Sequence, residues 1–349
     1  MVKEIILANA PTGLPVIEYG KNNSTFALRE VELPSLKEDQ VLLQTIFLSN
    51  DPAQRGWIQK DQISERGYVP PILPGDRVRA GNIAKVLKST SSLIKEGTLV
   101  QSISGWVEQQ VVDAKQVTPL PDMPGFSPSI FFGALGGTGM TAYFGLKDVC
   151  KFKEGQSIIV SGAAGATGSA VVQLAKHVFK ASRVIGIAGS EEKCEWVKKI
   201  GADVALNYKS PTFVNDLIEA AKPSYVDCYF DNVGGSILNA CLRVVKRYGR
   251  IAACGAISSY NGDRSQSTLD NWFEIITNRL TVQGFIIFDF LDRRDEAIQV
   301  LSSAVKEGKF SASDGETLVR SSFEKVPEVW MRLFRGENTG KLVTQIADL

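Results

Sequence analysis

The residues best placed to do chemistry in this 349-residue chain lie near its middle. There the apolar run Ile158-Ile159-Val160-Ser161 leads through Gly162-Ala163-Ala164-Gly165-Ala166-Thr167-Gly168 into Ser169-Ala170-Val171-Val172-Gln173-Leu174-Ala175. The pattern is a buried strand, a turn of small residues and a helix. Small residues let the backbone approach a pyrophosphate closely, and the helix turns its free N–H groups and positive dipole end toward it. The spacing Ala163-x-Gly165-x-x-Gly168 puts alanine where such turns ordinarily carry their first glycine. Gly165, Ala166, Thr167 and Gly168 are therefore candidate dinucleotide contacts, although the string alone also fits an ordinary glycine-rich turn.

The next strand decides which dinucleotide. In NAD-binding sheets it commonly ends in a carboxylate about 20 residues past the glycines, which accepts from the ribose 2′-hydroxyl. Here Val184-Ile185-Gly186-Ile187-Ala188 ends in Gly189-Ser190. Ser190 can donate to a 2′-phosphate, and Lys193, one helical turn on, can bring an ammonium to it. NADPH (NADP+) is the expected cofactor, with a charge-assisted contact of roughly 1.5–3 kcal/mol setting the preference over NADH. Glu191 and Glu192 share that helix start, where acidic residues also serve the helix dipole.

Other chemistries lack their ingredients. A single histidine, His177, removes the main ligand for zinc sites and the base of Ser-His-Asp catalysis, and reads as a structural or surface residue. The five cysteines, Cys150, Cys194, Cys228, Cys241 and Cys254, are widely spaced and odd in number, which suits neither a disulfide framework nor a zinc cluster. No metal is expected, and a reducing, cytoplasmic setting is. A net charge of +1 with 22% charged residues and no basic block argues against a nucleic-acid partner. No apolar run reaches about 18 residues and no leader pattern opens the chain, so no membrane association is expected.

The elements that must hold these residues change character along the chain. Up to about residue 135, short strand candidates (3–8, 26–31, 40–48, 77–87 and 106–112) are separated by Pro, Gly and Asn, which describes a β-rich, barrel-like domain. Beyond Pro128, strand candidates at 157–161, 183–188, 204–207, 225–230, 249–254 and 280–287 alternate with helical stretches at 167–179, 190–200, 211–222, 235–246 and 270–278. That alternation implies βαβ units and a doubly wound parallel sheet. A helix near 293–307 follows, and the tail at 340–346 reads as turn plus strand returning to the first domain. The expected class is α/β, with a substrate domain over 1–135 and 309–349 and a nucleotide domain over 136–308.

Three further strings extend the pattern: Gly136-Gly137-Thr138-Gly139-Met140-Thr141-Ala142-Tyr143 before the turn, Asp231-Asn232-Val233-Gly234-Gly235 after the fourth strand, and Cys254-Gly255-Ala256-Ile257-Ser258-Ser259-Tyr260-Asn261 after the fifth. In that order they resemble the zinc-independent medium-chain dehydrogenase/reductases, in the branch of leukotriene B4 12-hydroxydehydrogenase/prostaglandin reductase and alkenal double-bond reductases. The resemblance covers nearly the whole chain. It implies a GroES-like barrel domain joined to a Rossmann domain, in a homodimer formed through the Rossmann sheets. It also implies that Met140 and Thr141 sit by the nicotinamide, and that Ala166, Thr167 and Gly168 face the pyrophosphate. Lys193 and Tyr208 would hold the 2′-phosphate, Asn232 would contact the ribose side, and Asn338 would reach the cofactor from the C-terminal segment. Cys254, Ile257 and Tyr260 would border the cofactor, and the backbone of Phe285 and Ile287 would line the nicotinamide pocket. From its own surroundings, Tyr208 reads more readily as a strand-end core residue, and the resemblance reverses that. One string departs: the family commonly has Asp-Pro-Tyr-Met-Arg-Gly, and this chain has Asp51-Pro52-Ala53-Gln54-Arg55-Gly56, without the aromatic hydroxyl.

Reducing an isolated ketone without a Lewis acid demands strong stabilisation of oxyanion charge, whereas hydride addition to the β-carbon of an enone or enal spreads that charge into an enolate. One or two hydrogen-bond donors then suffice, and Tyr260 is the candidate catalytic donor. Its other role from sequence is a loop aromatic packed against the barrel domain. Tyr143-x-x-x-Lys147 matches the short-chain dehydrogenase pair, but there the glycine turn precedes the tyrosine, and here it follows. The expected activity is NADPH-dependent reduction of the C=C bond of α,β-unsaturated aldehydes and ketones. The alternatives are a quinone or carbonyl reductase on the same scaffold, and an NADPH-binding protein without turnover.

Overall fold

The computed structural model describes residues 1–60, 64–262, 268–312 and 315–349. The chain falls into two compact units, Met1–Ser129 with Thr317–Glu337 and Leu342–Leu349, and Ile130–Glu316 with Asn338–Lys341. The borders lie several residues from those expected at 135/136 and 308/309. Asn338–Lys341 belongs to the second unit because its backbone is tied there: Gly340 N donates to Ala164 O and Lys341 N to Gly315 O, both at 2.8 Å.

The first unit opens with an antiparallel pair, β1 (Val2–Leu7) and β2 (Phe26–Val31). It continues with β3 (Gln40–Ser49), the single-turn helix α1 (Gln54–Trp57), β4 (Asn82–Ser89), β5 (Leu99–Ser102), β6 (Gln109–Asp113) and β7 (Thr118–Pro119). The strand expected over 77–87 starts only at Asn82, because Arg77 pairs instead with Ile6 of β1 as an isolated bridge.

The second unit alternates as the periodicity predicts. After α2 (Gly137–Phe144) come β8 (Ser157–Val160), α3 (Ala166–Gln173), β9 (Arg183–Ala188), α4 (Glu191–Lys199), β10 (Val204–Asn207) and α5 (Phe213–Ala221). The order continues with β11 (Val226–Asp231), α6 (Gly235–Leu242), β12 (Val245–Ala253), α7 (Phe273–Thr277), β13 (Thr281–Gly284) and α8 (Arg294–Lys306). The six strands form one parallel sheet in the order β10-β9-β8-β11-β12-β13. All four residues of β8 are buried, since helices cover both faces of such a sheet, and this is why its strands read as unbroken β-branched runs. Ile159, Ile185, Tyr229, Ile237 and Ile251 form the core on one side.

The helix expected over 235–246 ends at Leu242, and Val245 already pairs with Val226 in β12. The β-branched Val244-Val245 pair is buried and suits a pleated sheet better than a helix. β12 then takes up extra residues in a bulge: the register passes from Val226 opposite Val245 to Cys228 opposite Arg250. The chain returns to the first unit with β14 (Glu316–Arg320), α9 (Val326–Arg335) and β15 (Lys341–Gln345). These complete a seven-stranded sheet of order β14-β15-β3-β4-β5-β7, with β6 on β3. α9 buries Val326, Val329, Trp330 and Met331, and the Trp330 ring meets Phe26 at 5.9 Å and Trp106 at 6.0 Å. Short β5 and β7 escape sequence reasoning because they are too brief for an alternation to show, and β14 escapes it although its five residues match β15 in length. Among the described residues no helix is long and apolar enough to cross a membrane.

The Tyr143-x-x-x-Lys147 string is a structural joint. The Tyr143 hydroxyl donates to Glu296 at 2.7 Å, Lys147 pairs with the same carboxylate, and Arg293 bridges Glu296 and Asp148 at 2.9 Å each. These groups tie the π turn Gly145–Val149 to the start of α8. Lys147, then Tyr143 and Arg293, hold the Glu296 carboxyl down at about 2, below its ordinary 4.5. A depressed carboxyl contributes stability above its unfolded pKa and loses it as pH falls toward the folded one. Glu296→Gln should therefore lower the melting temperature at neutral pH by about 2 degrees, with the gap closing between pH 4.5 and about 2. A gap independent of pH in thermal melts would exclude this pairing as the cause.

Candidate dinucleotide site

An open parallel sheet binds its ligand outside the carboxyl ends of the strands, where the strand order reverses. In this sheet the reversal lies between β8 and β11. The glycine turn follows β8 there, and Asp231-Asn232-Val233-Gly234-Gly235 follows β11. Gly162 adopts φ +58, so the turn after the strand is made one residue earlier than the sequence spacing suggested, and Ala163 needs no glycine. Gly165 stands at the N-cap of α3 with no side chain to cap it, and the first-turn amides of Ala166, Thr167 and Gly168 have no carbonyl four residues back within the helix. Gly168 is required by contact: a Cβ there would lie 2.1 Å from Gly162 O.

The two loops are laced together. Asn232 Nδ2 donates to Ser161 O at 2.8 Å, and Asn232 N to Ser161 Oγ at 3.0 Å. Gly340 of the C-terminal piece pairs with Gly165 as an isolated bridge, and the buried Asn338 turns its amide inward to Gly340 O at 2.8 Å. Asn338 thus lies beside the turn, with its Nδ2 engaged by its own segment.

Ser190, Lys193 and Tyr208 come together at the ends of β9 and β10. Ser190 caps α4, its oxygen accepting from Lys193 N at 3.2 Å. The Tyr208 ring lies against Gly189, where a Cβ would be 3.0 Å from the ring edge, and Tyr208 N donates to Ala188 O. The Lys209 ammonium stands 5.9 Å from the Tyr208 ring centroid. Burial first, and then the like charge of Lys209, pull the Lys193 pKa below its ordinary value, against a smaller opposing pull from Glu192. Two cations gathered with a hydroxyl and a phenol suit a dianionic phosphate. Glu191 is taken by Asn207 Nδ2 at 2.8 Å, and both it and Glu192 are exposed. Lys209 is the member that sequence reasoning missed; a lysine just past a strand end carries no signal until β10 is paired with β9.

Cys254, Ile257 and Tyr260 lie past the end of β12. Cys254 N donates to Asp231 O at 2.8 Å, and burial, with the Asp231 charge, pushes its thiol up to about 12. Ile257 opens the short 3-10 turn that leads into half-buried Tyr260. The Tyr260 oxygen accepts from Ala256 N at 3.2 Å and lies 3.3 Å from where a Cβ on Gly255 would stand. Phe285, just beyond β13, is buried with its ring 6.0 Å from that of Phe230, so only its backbone can face a ligand. Ile287 follows at the start of a 3-10 turn. Met140 is buried on α2, and Thr141 donates its hydroxyl to Gly137 O at 2.7 Å; α2 packs on α3. His177 serves structure, its Nε2 3.3 Å from Ile200 O.

Two family models match, one described as "N-terminal domain of oxidoreductase" over residues 3–120 and one as "Zinc-binding dehydrogenase" over 166–303. Prostaglandin reductase 1 of Mus musculus is 39% identical over 328 residues, 93% of this chain and 94% of its own. The NADP(+)-dependent 2-alkenal reductase of Nicotiana tabacum is 34% identical, covering 99% of this chain and 97% of its own. The chain belongs to the zinc-independent medium-chain dehydrogenase/reductases. In this family the solved structure of CurA from Vibrio vulnificus in complex with NADPH is 31% identical with a TM-score of 0.87, covering 99% of this chain and 100% of its own. The family's α/β class is the one observed, a parallel Rossmann sheet with an antiparallel β-rich unit. Among the described residues no three His, Cys, Asp or Glu side chains gather as a metal-holding group.

For a medium-chain reductase with this cation pair, Lys193→Ala should raise the NADPH dissociation constant by about tenfold to a hundredfold and change that for NADH little. Lys209→Ala should do the same more weakly. Equal losses for both dinucleotides in fluorescence titrations would remove the 2′-phosphate from this corner.

Proposed function

We propose that this protein is an NADPH-dependent reductase of the C=C bond of α,β-unsaturated aldehydes and ketones. The observation that carries the cofactor half is the grouping of Ser190, Lys193, Tyr208 and Lys209 at the ends of β9 and β10, where an NAD site would carry a carboxylate. The relatives named prostaglandin reductase and 2-alkenal reductase support the reaction half. The bound dinucleotide supplies a hydride for the β-carbon of the substrate.

The chain's own residues bind and orient around that chemistry. The amides of Ala166, Thr167 and Gly168 hold the pyrophosphate, and Gly168 keeps the helix close enough for them to reach it. Met140 and Thr141 border the nicotinamide with the backbone of Phe285 and Ile287, while Asn232 serves the ribose side and Asn338 reaches the cofactor from the C-terminal segment. Tyr260 gives its hydroxyl proton in a hydrogen bond to the substrate carbonyl oxygen, so that enolate charge is met as it develops. Cys254, held as a neutral thiol, adds no negative charge beside it.

The working form is a homodimer in the cytoplasm, with a small enone or enal as its partner molecule. The exposed edge strand β13, with Trp272, Phe273, Ile276 and Val282 exposed around it, supports pairing through the Rossmann sheet. The five free cysteines suit a reducing compartment.

Incubation with NADPH and 3-nonen-2-one should yield the saturated ketone. The allylic alcohol would make it a carbonyl reductase, and binding without NADPH consumption across enones, quinones and ketones would make it a non-catalytic binder. Tyr260→Phe should lower enone turnover by about tenfold or more with NADPH affinity near normal. Unchanged turnover would take Tyr260 out of the mechanism.

A further inference from the structure

The mechanism above makes no use of Asp231, yet this carboxylate is buried at the end of the central strand β11, 2% exposed. One of its oxygens, Oδ1, accepts from four donors: Ser161 Oγ at 2.9 Å, Tyr229 Oη at 2.6 Å, Val233 N at 3.0 Å and Gly234 N at 2.9 Å. Its backbone oxygen accepts from Cys254 N at 2.8 Å and Gly255 N at 3.1 Å. A single residue is thus bonded to the chain leaving β8, to its own loop and to the chain leaving β12. Those are the three segments that carry the glycine turn, Asn232 and the Tyr260 loop. Burial of a charged group is costly unless donors replace the water it loses, so four donors on one oxygen mark a group retained for the arrangement it imposes. The loop it gathers contains Gly234 and Gly235 in succession, and glycine loses the most freedom when ordered. Its neighbours carry the mark of the charge: burial, and then Asp231, push the Cys241 and Cys254 thiols up.

We propose that Asp231 is the positioning residue of the dinucleotide site, presetting the loops after β8, β11 and β12 so that little ordering remains to be done when the dinucleotide binds. The inference rests on the reading that the dinucleotide lies across the ends of β8 and β11. Paying the ordering cost in the free protein strengthens binding without adding a contact. The effect must therefore appear mainly in dinucleotide affinity, and in the chemical step only as far as the Tyr260 loop loosens with it.

The test uses the full-length protein, titrated with NADPH well below its melting temperature. Asp231→Asn should raise the NADPH dissociation constant and KM by about tenfold, while kcat at saturating NADPH stays within about threefold. Amide exchange should speed up at Val233, Gly234, Cys254 and Gly255 and stay unchanged in β9 and β10. Ser161→Ala, which keeps the carboxylate and removes only the hydroxyl between it and Asn232 N, should raise the dissociation constant by about threefold. It also serves if the first variant does not fold. A lower melting temperature with wild-type NADPH affinity in the folded variant would overturn the proposal, as would wild-type affinity in Ser161→Ala. Failure of the wild-type protein itself to bind NADPH would instead overturn the reading beneath it.

Discussion

The second unit depends on one close approach, that of the first turn of α3 to the backbone at Gly162. With Gly168 in near contact with the Gly162 carbonyl, no side chain separates helix from turn. The unpaired amides of the helix start therefore sit at the height of the strand ends, where a pyrophosphate can meet several donors at once. Everything else around the turn serves that approach. Ala163 N donates to Ile187 O, which joins the turn to β9, and Gly340 donates to Ala164 O from a segment more than 170 residues further along the chain.

Charge is laid out on the same sheet with a clear division. At the ends of β9 and β10 a hydroxyl, a phenol and two ammonium groups gather beside the exposed Glu191 and Glu192, and the depressed pKa of Lys193 reflects its burial first and the like charge of Lys209 second. At the ends of β8, β11 and β12 the only buried carboxylate is that of Asp231 among the described residues, and hydroxyls and backbone amides surround it. The cationic end suits recognition of a phosphate, whereas the anionic end organises backbone. This separation keeps the buried negative charge apart from the cationic end.

The first unit rests on a different kind of interaction. Phe26, Trp106 and Trp330 bring together rings from β2, the segment before β6 and the C-terminal helix α9. Their burial explains why a chain that leaves this unit at residue 129 must come back to it after residue 316. Glu4 is buried in the same unit, and Arg29 and Arg77 compensate it at 2.6 Å each.

The sequence by itself determined the parallel sheet, its strand order of appearance and the glycine turn after β8. Those follow from local periodicity: β-branched runs of four to six residues, helical spacing between them, and glycines at a fixed offset. It also determined the missing carboxylate after β9, because absence of a residue type needs no coordinates. Tertiary structure alone decided what depended on pairing between distant segments. Ala163 could not be seen to be an adequate replacement until Gly162 took the left-handed turn. Lys209 joined the cation pair only once β10 lay beside β9, and Asp231 became a junction only when three strand ends met. The shortened helix α6 was decided the same way, since Val245 found a partner in Val226 and the β-branched pair Val244-Val245 joined the sheet.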